Sequence, residues 1–316
     1  MDKCLYCYNK PDEGQIDFHC ECSKKIFGTT EPPVFAYARN MAPELAKYVI
    51  HKQTSIAGSQ PKLPLHLDRK GRVSLKWLSV AEPADDYILK PQSDKFHQLP
   101  ELEDLTMRLA GIVKIETAPH SLIRLSDGEL AYITKRIDRD KNQKALPMED
   151  MCQLSGYAAN DKYKGSYEQV AKLILKYSAA PKLDLANFWE RVLFCWLTGN
   201  AGLHLKSIAL YCKSEGVYTL APAYGLCSTT LIMPDDKDEL ALTLNRKRAK
   251  LRRTDFEIAF AQSGLNEKVI RNIFMKFGKA LPLWAQCIDR SFLDDETKGW
   301  YKTLLNNMMS TLFGFG

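Results

Sequence analysis

No apolar run in this chain of 316 residues approaches the roughly 18–20 residues of a membrane helix, which excludes a helical membrane anchor within it. The start, Met1-Asp2-Lys3-Cys4, has no hydrophobic core of a signal peptide. Internal repeats and low-complexity tracts are also missing, so a repeat array is excluded. Charge of one sign is in short supply: the net charge of +6 is too mild to argue for nucleic acid, which needs clustered charge. Hydrophobic residues make up 45% and charged ones 26%, ordinary for a folded domain and incompatible with a long disordered chain. Cys152, Cys195, Cys212, Cys227 and Cys287 lie scattered in apolar contexts and read as reduced, buried thiols. A cytoplasmic location is the expectation.

The remaining cysteines crowd at the start. Cys4-Leu5-Tyr6-Cys7 places two thiolates on one side of a tight loop, and Asp17-Phe18-His19-Cys20-Glu21-Cys22 supplies a second set about a dozen residues later. Candidate ligands are Cys4, Cys7, His19 or Cys20, and Cys22. Soft thiolates with an optional imidazole favour zinc, and a short segment that cannot bury a core of its own needs such a staple. With four protein ligands the zinc would be structural. The bland alternative is free cysteines or a redox pair.

Along the chain, Ala42 to Tyr48 reads as a short helix, and Thr54 to Lys62 as a loop of small residues. Leu63–Leu67 and Val73–Leu78 alternate around Asp68-Arg69-Lys70-Gly71 as a hairpin, Tyr87–Lys90 is a strand ended by Pro91, and Glu101–Leu109 has helical spacing. Ser121–Leu125 and Leu130–Thr134 make a second hairpin around Ser126-Asp127-Gly128. Helical periods then take over: Glu149–Tyr157, Tyr167–Tyr177, Leu185–Thr198, Asp255–Gln262, Glu267–Phe277 and Glu296–Leu312, with a short hairpin of Ile208–Tyr211 and Tyr218–Ala221 between them. The expected fold is α+β and two-lobed: a Cys-rich knuckle over 1–30, a strand-rich lobe over 31–137 and a helical lobe over 138–316.

A small-residue loop, then Lys90 on a strand, then Glu103 on a helix is the order in which a kinase presents its phosphate-handling parts. The loop Ser55–Lys62 holds one glycine and is weak by itself. Gly199-Asn200-Ala201-Gly202-Leu203-His204-Leu205-Lys206-Ser207 and Ala221-Pro222-Ala223-Tyr224-Gly225-Leu226-Cys227 have the layout of a catalytic loop and a metal-binding loop. They lack the carboxylate that orients an attacking hydroxyl and the oxygen ligands that hold magnesium. The dense basic run Arg246–Arg253 reads as a solvated loop leading into a helix near Thr254, with contact to an acidic partner or DNA as the alternative. Asp235, Asp236, Asp238 and Glu239 read as an exposed acidic turn.

Ser55-Ile56-Ala57-Gly58-Ser59-Gln60-Pro61-Lys62, Leu105-Thr106-Met107-Arg108-Leu109-Ala110, Lys135-Arg136-Ile137-Asp138-Arg139, Glu149-Asp150-Met151-Cys152-Gln153 and Gly199 through Tyr211 resemble the HipA family over about residues 50–260. Its members are serine/threonine kinases of bacterial toxin–antitoxin systems, so the resemblance implies a protein-kinase-like fold. It implies ATP as ligand, with Gly58, Ser59 and Gln60 covering phosphates and Ser55 as an autophosphorylation position. Lys90 would be the phosphate lysine and Glu103 its helix partner. Lys135 and Ile137 would meet adenine, and Asp138 the ribose. His204 and Lys206 keep catalytic-loop places. The chain starts without the extra N-terminal subdomain of longer members, which suggests that subdomain as a separate polypeptide.

Three departures follow from the same comparison. Gly202 stands at the catalytic aspartate, Ser207 at the metal-binding asparagine and Gly225 at the second metal-binding aspartate, and Leu102 replaces an asparagine beside Glu103. A missing base costs about 10²–10⁴ in rate, and missing metal ligands cost more because the cation neutralises the transferring phosphoryl. The first expectation is a pseudokinase that binds ATP weakly or without magnesium and pairs with an antitoxin or a relative. The alternatives are an active kinase with unorthodox metal ligation and a DNA-associated module, with DNA otherwise contacted only weakly or indirectly.

Overall fold

The structure is a computed structural model that describes residues 3–34, 37–41, 62–67, 73–75, 86–140, 142 and 144–314. Two compact units divide it: Met1–Asp104 with Ala118–Ala145 and Arg290–Phe292, and Leu105–Thr117 with Leu146–Asp289 and Leu293–Gly316.

In the first unit α1 (Cys20–Phe27) precedes strands β1 (Leu63–Leu67), β2 (Val73–Leu75) and β3 (Tyr87–Lys90). Helix α2 (Leu99–Ile112) begins in this unit, and β4 (His120–Arg124) and β5 (Leu130–Lys135) complete it. Among the described residues these strands form a five-stranded antiparallel sheet in the order β2-β1-β3-β5-β4. The period-2 alternation of β1 and β3 buries Leu63, Leu65, Tyr87 and Leu89. Cys4, Leu5, Phe18, Cys22, Ile26 and Phe27 share one core with those residues and with Leu122, Ile123, Ala131 and Ile133. The Cys-rich start is thus built into the core of the unit. Helix α1 ends at Gly28, whose φ of 80° is the left-handed C-cap that glycine adopts without strain.

The second unit is mostly helical. It contains β6 (Met148–Asp150), α3 (Met151–Leu154), α4 (Tyr167–Tyr177), α5 (Pro181–Leu197), β7 (Ala209–Ser214), β8 (Val217–Leu220), α6 (Arg253–Gln262), α7 (Glu267–Gly278), α8 (Leu281–Arg290, its last residue assigned to the first unit) and α9 (Asp295–Phe313). Helix α4 starts at a reciprocal capping box, Ser166 with Gln169. Helix α5 starts at Pro181, where the missing N–H is no loss, and is buried nearly all round. Its Trp189 and Trp196 lie 5.1 Å from Phe260 and 5.0 Å from Phe256 between ring centroids. Each such fully buried side chain contributes roughly 1.5–3 kcal/mol, so these tilted aromatic pairs are a substantial part of the unit's core.

Two expectations need correction. Glu149–Tyr157 is not one helix: Met148–Asp150 is a strand paired with Ala209–Tyr211, and Asp150 then caps a single helical turn over Met151–Leu154. Pairing with a strand distant in sequence overrides the local helical spacing. Helix α5 begins at Pro181, ahead of the expected Leu185. Helices α1 and α8 had no sequence-level expectation. The expected helix 42–48, the turn 68–71 and the end of the strand at 76–78 lie outside the described residues. Among the described residues no helix is long and apolar enough to cross a membrane.

Candidate functional site

In the first unit Lys90 ends β3 and Glu103 lies in the second turn of α2. Their side chains are 13% and 4% exposed and form an ion pair between Nζ and Oε1. The ammonium also lies 5.2 Å from the ring centroid of Tyr132, its cross-strand neighbour. A desolvated ammonium held by one carboxylate and one aromatic face is suited to meeting phosphate oxygens. The segment after β5 is less open. Lys135 is exposed, Ile137 is half-buried and both Asp138 oxygens already accept from Arg136, at 2.9 and 2.5 Å, with Arg139 adding a contact at 2.9 Å. Burial works to raise the Asp138 carboxyl, but the two guanidiniums outweigh it and hold it below the usual range. Ser55, Gly58, Ser59 and Gln60 lie outside the described residues.

In the second unit the loop after α5 is a tight local network. His204 N and Ser207 Oγ both donate to Gly202 O, at 2.9 and 3.3 Å, and Ser207 Oγ lies 3.0 Å from His204 Nδ1. Gly202 N donates to Asn200 Oδ1 at 2.9 Å, and a Cβ at Gly202 would sit 3.0 Å from that same oxygen. Gly225 has φ +74°, a conformation that strains any L side chain. A side chain at Gly202 would therefore need Asn200 to shift, and one at Gly225 would have to adopt a left-handed backbone. Lys206 bonds Asp150 Oδ2 at 3.0 Å, and its carbonyl accepts from Tyr224 Oη at 3.2 Å. Two residues with no assigned role matter here. Asp150 brings the carboxylate that reaches this loop, and buried Arg191 donates to Ala221 O at 2.7 Å, fixing the approach to Gly225. Asp150 stood in a family block without a role, and Arg191 carried no motif at all.

Several of the downstream charges have partners. Glu239 accepts from Trp196 Nε1 at 2.8 Å and from the Lys250 and Leu251 amides at 2.9 and 3.1 Å. In the basic run Lys247 pairs with Asp255 at 2.8 Å, Arg248 with Asp238 at 3.6 Å and Arg253 with Glu257 at 2.7 Å.

A third constellation lies in the first unit. One ligand atom each from Cys4, Cys7, His19 and Cys22 fall within 4.8 Å of one another. The His19 Nε2–H donates to Lys10 O at 2.9 Å, which leaves Nδ1 as a lone pair 3.4 Å from Cys7 Sγ and 3.6 Å from Cys22 Sγ. Between His19 and Cys20 the geometry selects His19. Cys20 is exposed at the start of α1, its sulfur 3.2 Å from Gln15 Nε2, and stands outside the cluster. Burial and then the neighbouring Cys4 and Cys7 charges push the Cys22 thiol up to about 12. Three sulfurs crowded without a cation repel as thiolates, and a soft divalent metal relieves that repulsion.

Comparison with known proteins gives these parts a context. The family model described as HipA-like C-terminal domain matches residues 54–284. A "Putative kinase" of Haemophilus influenzae is 30% identical over 191 residues, 56% of this chain and 53% of that protein. "Putative kinase Y4dM" of Sinorhizobium fredii is 30% identical over 235 residues, 68% of this chain and 55% of that protein. The chain thus spans about half the length of the curated relatives it matches. Among solved structures, HipA of Shewanella oneidensis MR-1, in a toxin–antitoxin complex with HipB and operator DNA, aligns with a TM-score of 0.71 at 20% identity, covering 90% of this chain and 73% of that one. The proinflammatory kinase CtkA of Helicobacter pylori aligns with a TM-score of 0.55 at 15% identity, covering 83% and 92%. At these identities the likeness shows the fold, a mixed α/β kinase-like one.

Proposed function

The chain belongs to the HipA-like C-terminal domain family, and from that premise we propose that it is a pseudokinase, a kinase-like fold kept for binding in a toxin–antitoxin setting with phosphoryl transfer lost. One observation carries this reading. Gly202, Ser207 and Gly225 provide neither a base nor acidic metal ligands. Transfer from ATP asks for both. ATP is held weakly and without dependence on magnesium, with Lys90 and Glu103 as the phosphate-facing pair of the first unit. Incubation with γ-labelled ATP and magnesium or manganese tests this, and the expected label on the protein or a generic substrate stays at background.

Asp150 supports a second reading, because a carboxylate does reach the catalytic-loop lysine, 3.0 Å from Lys206 Nζ. In that reading the chain is an active kinase with unorthodox ligation. Label above background that disappears in Lys90→Ala would establish it and end the first.

Cys4, Cys7, His19 and Cys22 hold one structural zinc ion in this account, a donor set that fits tetrahedral zinc and leaves no place for water. One zinc per chain by elemental analysis, retained in Cys20→Ser and lost in Cys22→Ser, is the expected result. The Shewanella structure joins HipA to HipB and operator DNA. The partner proposed here is accordingly an antitoxin-type protein or a relative of the same family, with DNA approached only through it. The pairing of Lys247, Arg248 and Arg253 with acidic residues fits weak direct contact with DNA.

A further inference from the structure

The side chains around Lys90 form a closed circuit inside the first unit, and one of its members comes from the Cys-rich start. Glu103 and Asp104 are consecutive on α2, so they leave the helix about 100° apart. Glu103 takes the Lys90 ammonium. Asp104 is fully buried and uses both oxygens: Oδ2 accepts from Tyr8 Oη at 2.6 Å and Oδ1 lies 2.7 Å from His120 Nδ1. The His120 ring stacks on Tyr132 at 5.8 Å with planes 25° apart. Tyr132 in turn lies under the Lys90 ammonium. Lys90 is therefore gripped by Glu103 and by Tyr132, and both grips are tied back to Asp104.

Tyr8 follows Cys7 directly. Its backbone has φ 66°, a costly region for a bulky side chain that persists only where the surroundings enforce it. Its amide donates to Cys4 O at 2.9 Å, so the turn that gathers Cys4 and Cys7 is the turn that sends the Tyr8 ring inward. There the ring is 4% exposed and meets Phe292 edge-on at 5.3 Å.

We propose that metal in the Cys4, Cys7, His19 and Cys22 cluster fixes the turn carrying Tyr8, and that Tyr8 through Asp104 positions Glu103 and hence Lys90. Tyr8, Asp104 and His120 are positioning residues, and the knuckle regulates the lysine that meets phosphate. The consequence for ATP rests on the nucleotide reading above, while the positioning itself does not.

The test uses the full chain, reconstituted with zinc, beside its Tyr8→Phe and Asp104→Asn variants and a chelator-stripped sample. Each is pulsed with an amine-acylating reagent, and Lys90 modification is followed by mass spectrometry. Lys276, paired with Glu190 at 2.5 Å in the second unit, serves as internal reference. Tyr8→Phe removes a single oxygen and keeps the ring packing. The expected result is a rise in Lys90 labelling relative to Lys276 of about threefold to tenfold in Tyr8→Phe, the order of one net hydrogen bond, at unchanged zinc content. Asp104→Asn and metal stripping raise it in the same direction. Unchanged Lys90 labelling in folded Tyr8→Phe and Asp104→Asn overturns the proposal, and a rise in the variants with none on stripping overturns the part assigned to metal. Where stripping unfolds the first unit, as near-ultraviolet circular dichroism would report, the two variants decide. Titration with ATP separates the readings. Affinity that falls as Lys90 labelling rises supports both, whereas no ATP binding in any sample refutes the nucleotide reading and leaves the labelling result standing.

Discussion

Lys90 and Glu103 in the first unit form an ion pair with side chains 13% and 4% exposed, tied into a buried network of Asp104, His120 and Tyr8. In the second unit, the positions where the family resemblance places a base and two metal ligands hold Gly202 and Ser207, in a loop closed by its own hydrogen bonds, and Gly225, in a second loop after β8. A desolvated ion pair has a standing cost, and removing one partner of it is strongly destabilising. Small residues in a surface loop carry no such penalty. In the reading proposed above, holding a nucleotide phosphate and transferring it are separable, and the contrast between the two regions is what that reading rests on.

The largest effect should come from attacking the first region through the zinc proposed for its Cys/His cluster. Zinc removal, or Cys22→Ser, is expected to lower the calorimetric transition of the first unit by at least about 10 °C, because structural zinc sites contribute several kcal/mol to folding. The transition of the second unit should stay in place. If neither transition moves, the Cys-rich start is no staple.

A second lever is Glu101, two positions before Glu103 on α2, whose Oε2 is buried with no partner among the described residues. Burial pushes its carboxyl up to about 7, with Glu129 and Asp104 acting in the same direction and a backbone hydrogen bond and His97 pulling back. A folded value above the unfolded one means that the folded state binds the extra proton. Stability is then full below about pH 4.5 and falls by on the order of 2–3 kcal/mol as pH rises to about 7. Denaturant melts across that window should flatten in Glu101→Gln, and an unchanged slope would remove Glu101 from the account.

The comparison sharpens from the other side by restoring the emptied loop. Gly202→Asp with Ser207→Asn and Gly225→Asp should raise phosphoryl transfer about a hundredfold over the wild type, near the low end for a regained base because Gly225 at φ +74° resists a side chain. Gly202→Asp alone should restore nothing, since the metal ligands are still missing. Activity from that single change, read with labelled ATP, would mean that metal is ligated elsewhere. Smaller still, Lys90→Met should weaken ATP affinity about tenfold by calorimetric titration, the loss of a charge-assisted contact. Arg253→Ala, which breaks the exposed pair with Glu257, should cost less than about 1 kcal/mol and leave ATP affinity alone.

Much of the fold was legible because its signals are local. Tyr87–Lys90 reads as a strand that Pro91 closes, and Tyr167–Tyr177 reads from its helical period, which the Ser166–Gln169 cap then fixes at its start. Glu149–Tyr157 misled because Met151, Leu154 and Tyr157 have helical spacing, while the strand that claims Met148–Asp150 lies at Ala209–Tyr211. Helix α8 hid behind Pro282, which reads as a breaker but sits in a first turn where proline is tolerated. The Lys90–Glu103 pair was foreseeable from the order of the parts. The bonds of Asp104 to Tyr8 and His120 were not, because they close over separations of 96 and 16 residues with no motif to mark them. The Cys/His cluster was legible in spacing, yet the choice of His19 over Cys20 needed the ring's bond to the Lys10 carbonyl.

The central claim, binding kept and transfer lost, is tested most directly by titrating zinc-loaded protein with ATP in the presence and absence of added magnesium, with no chelator. The account predicts a measurable, weak affinity that magnesium leaves within about threefold, as for a site without acidic metal ligands. Affinity that collapses when magnesium is withheld would contradict it, and would mean that this chain still assembles a metal–nucleotide site.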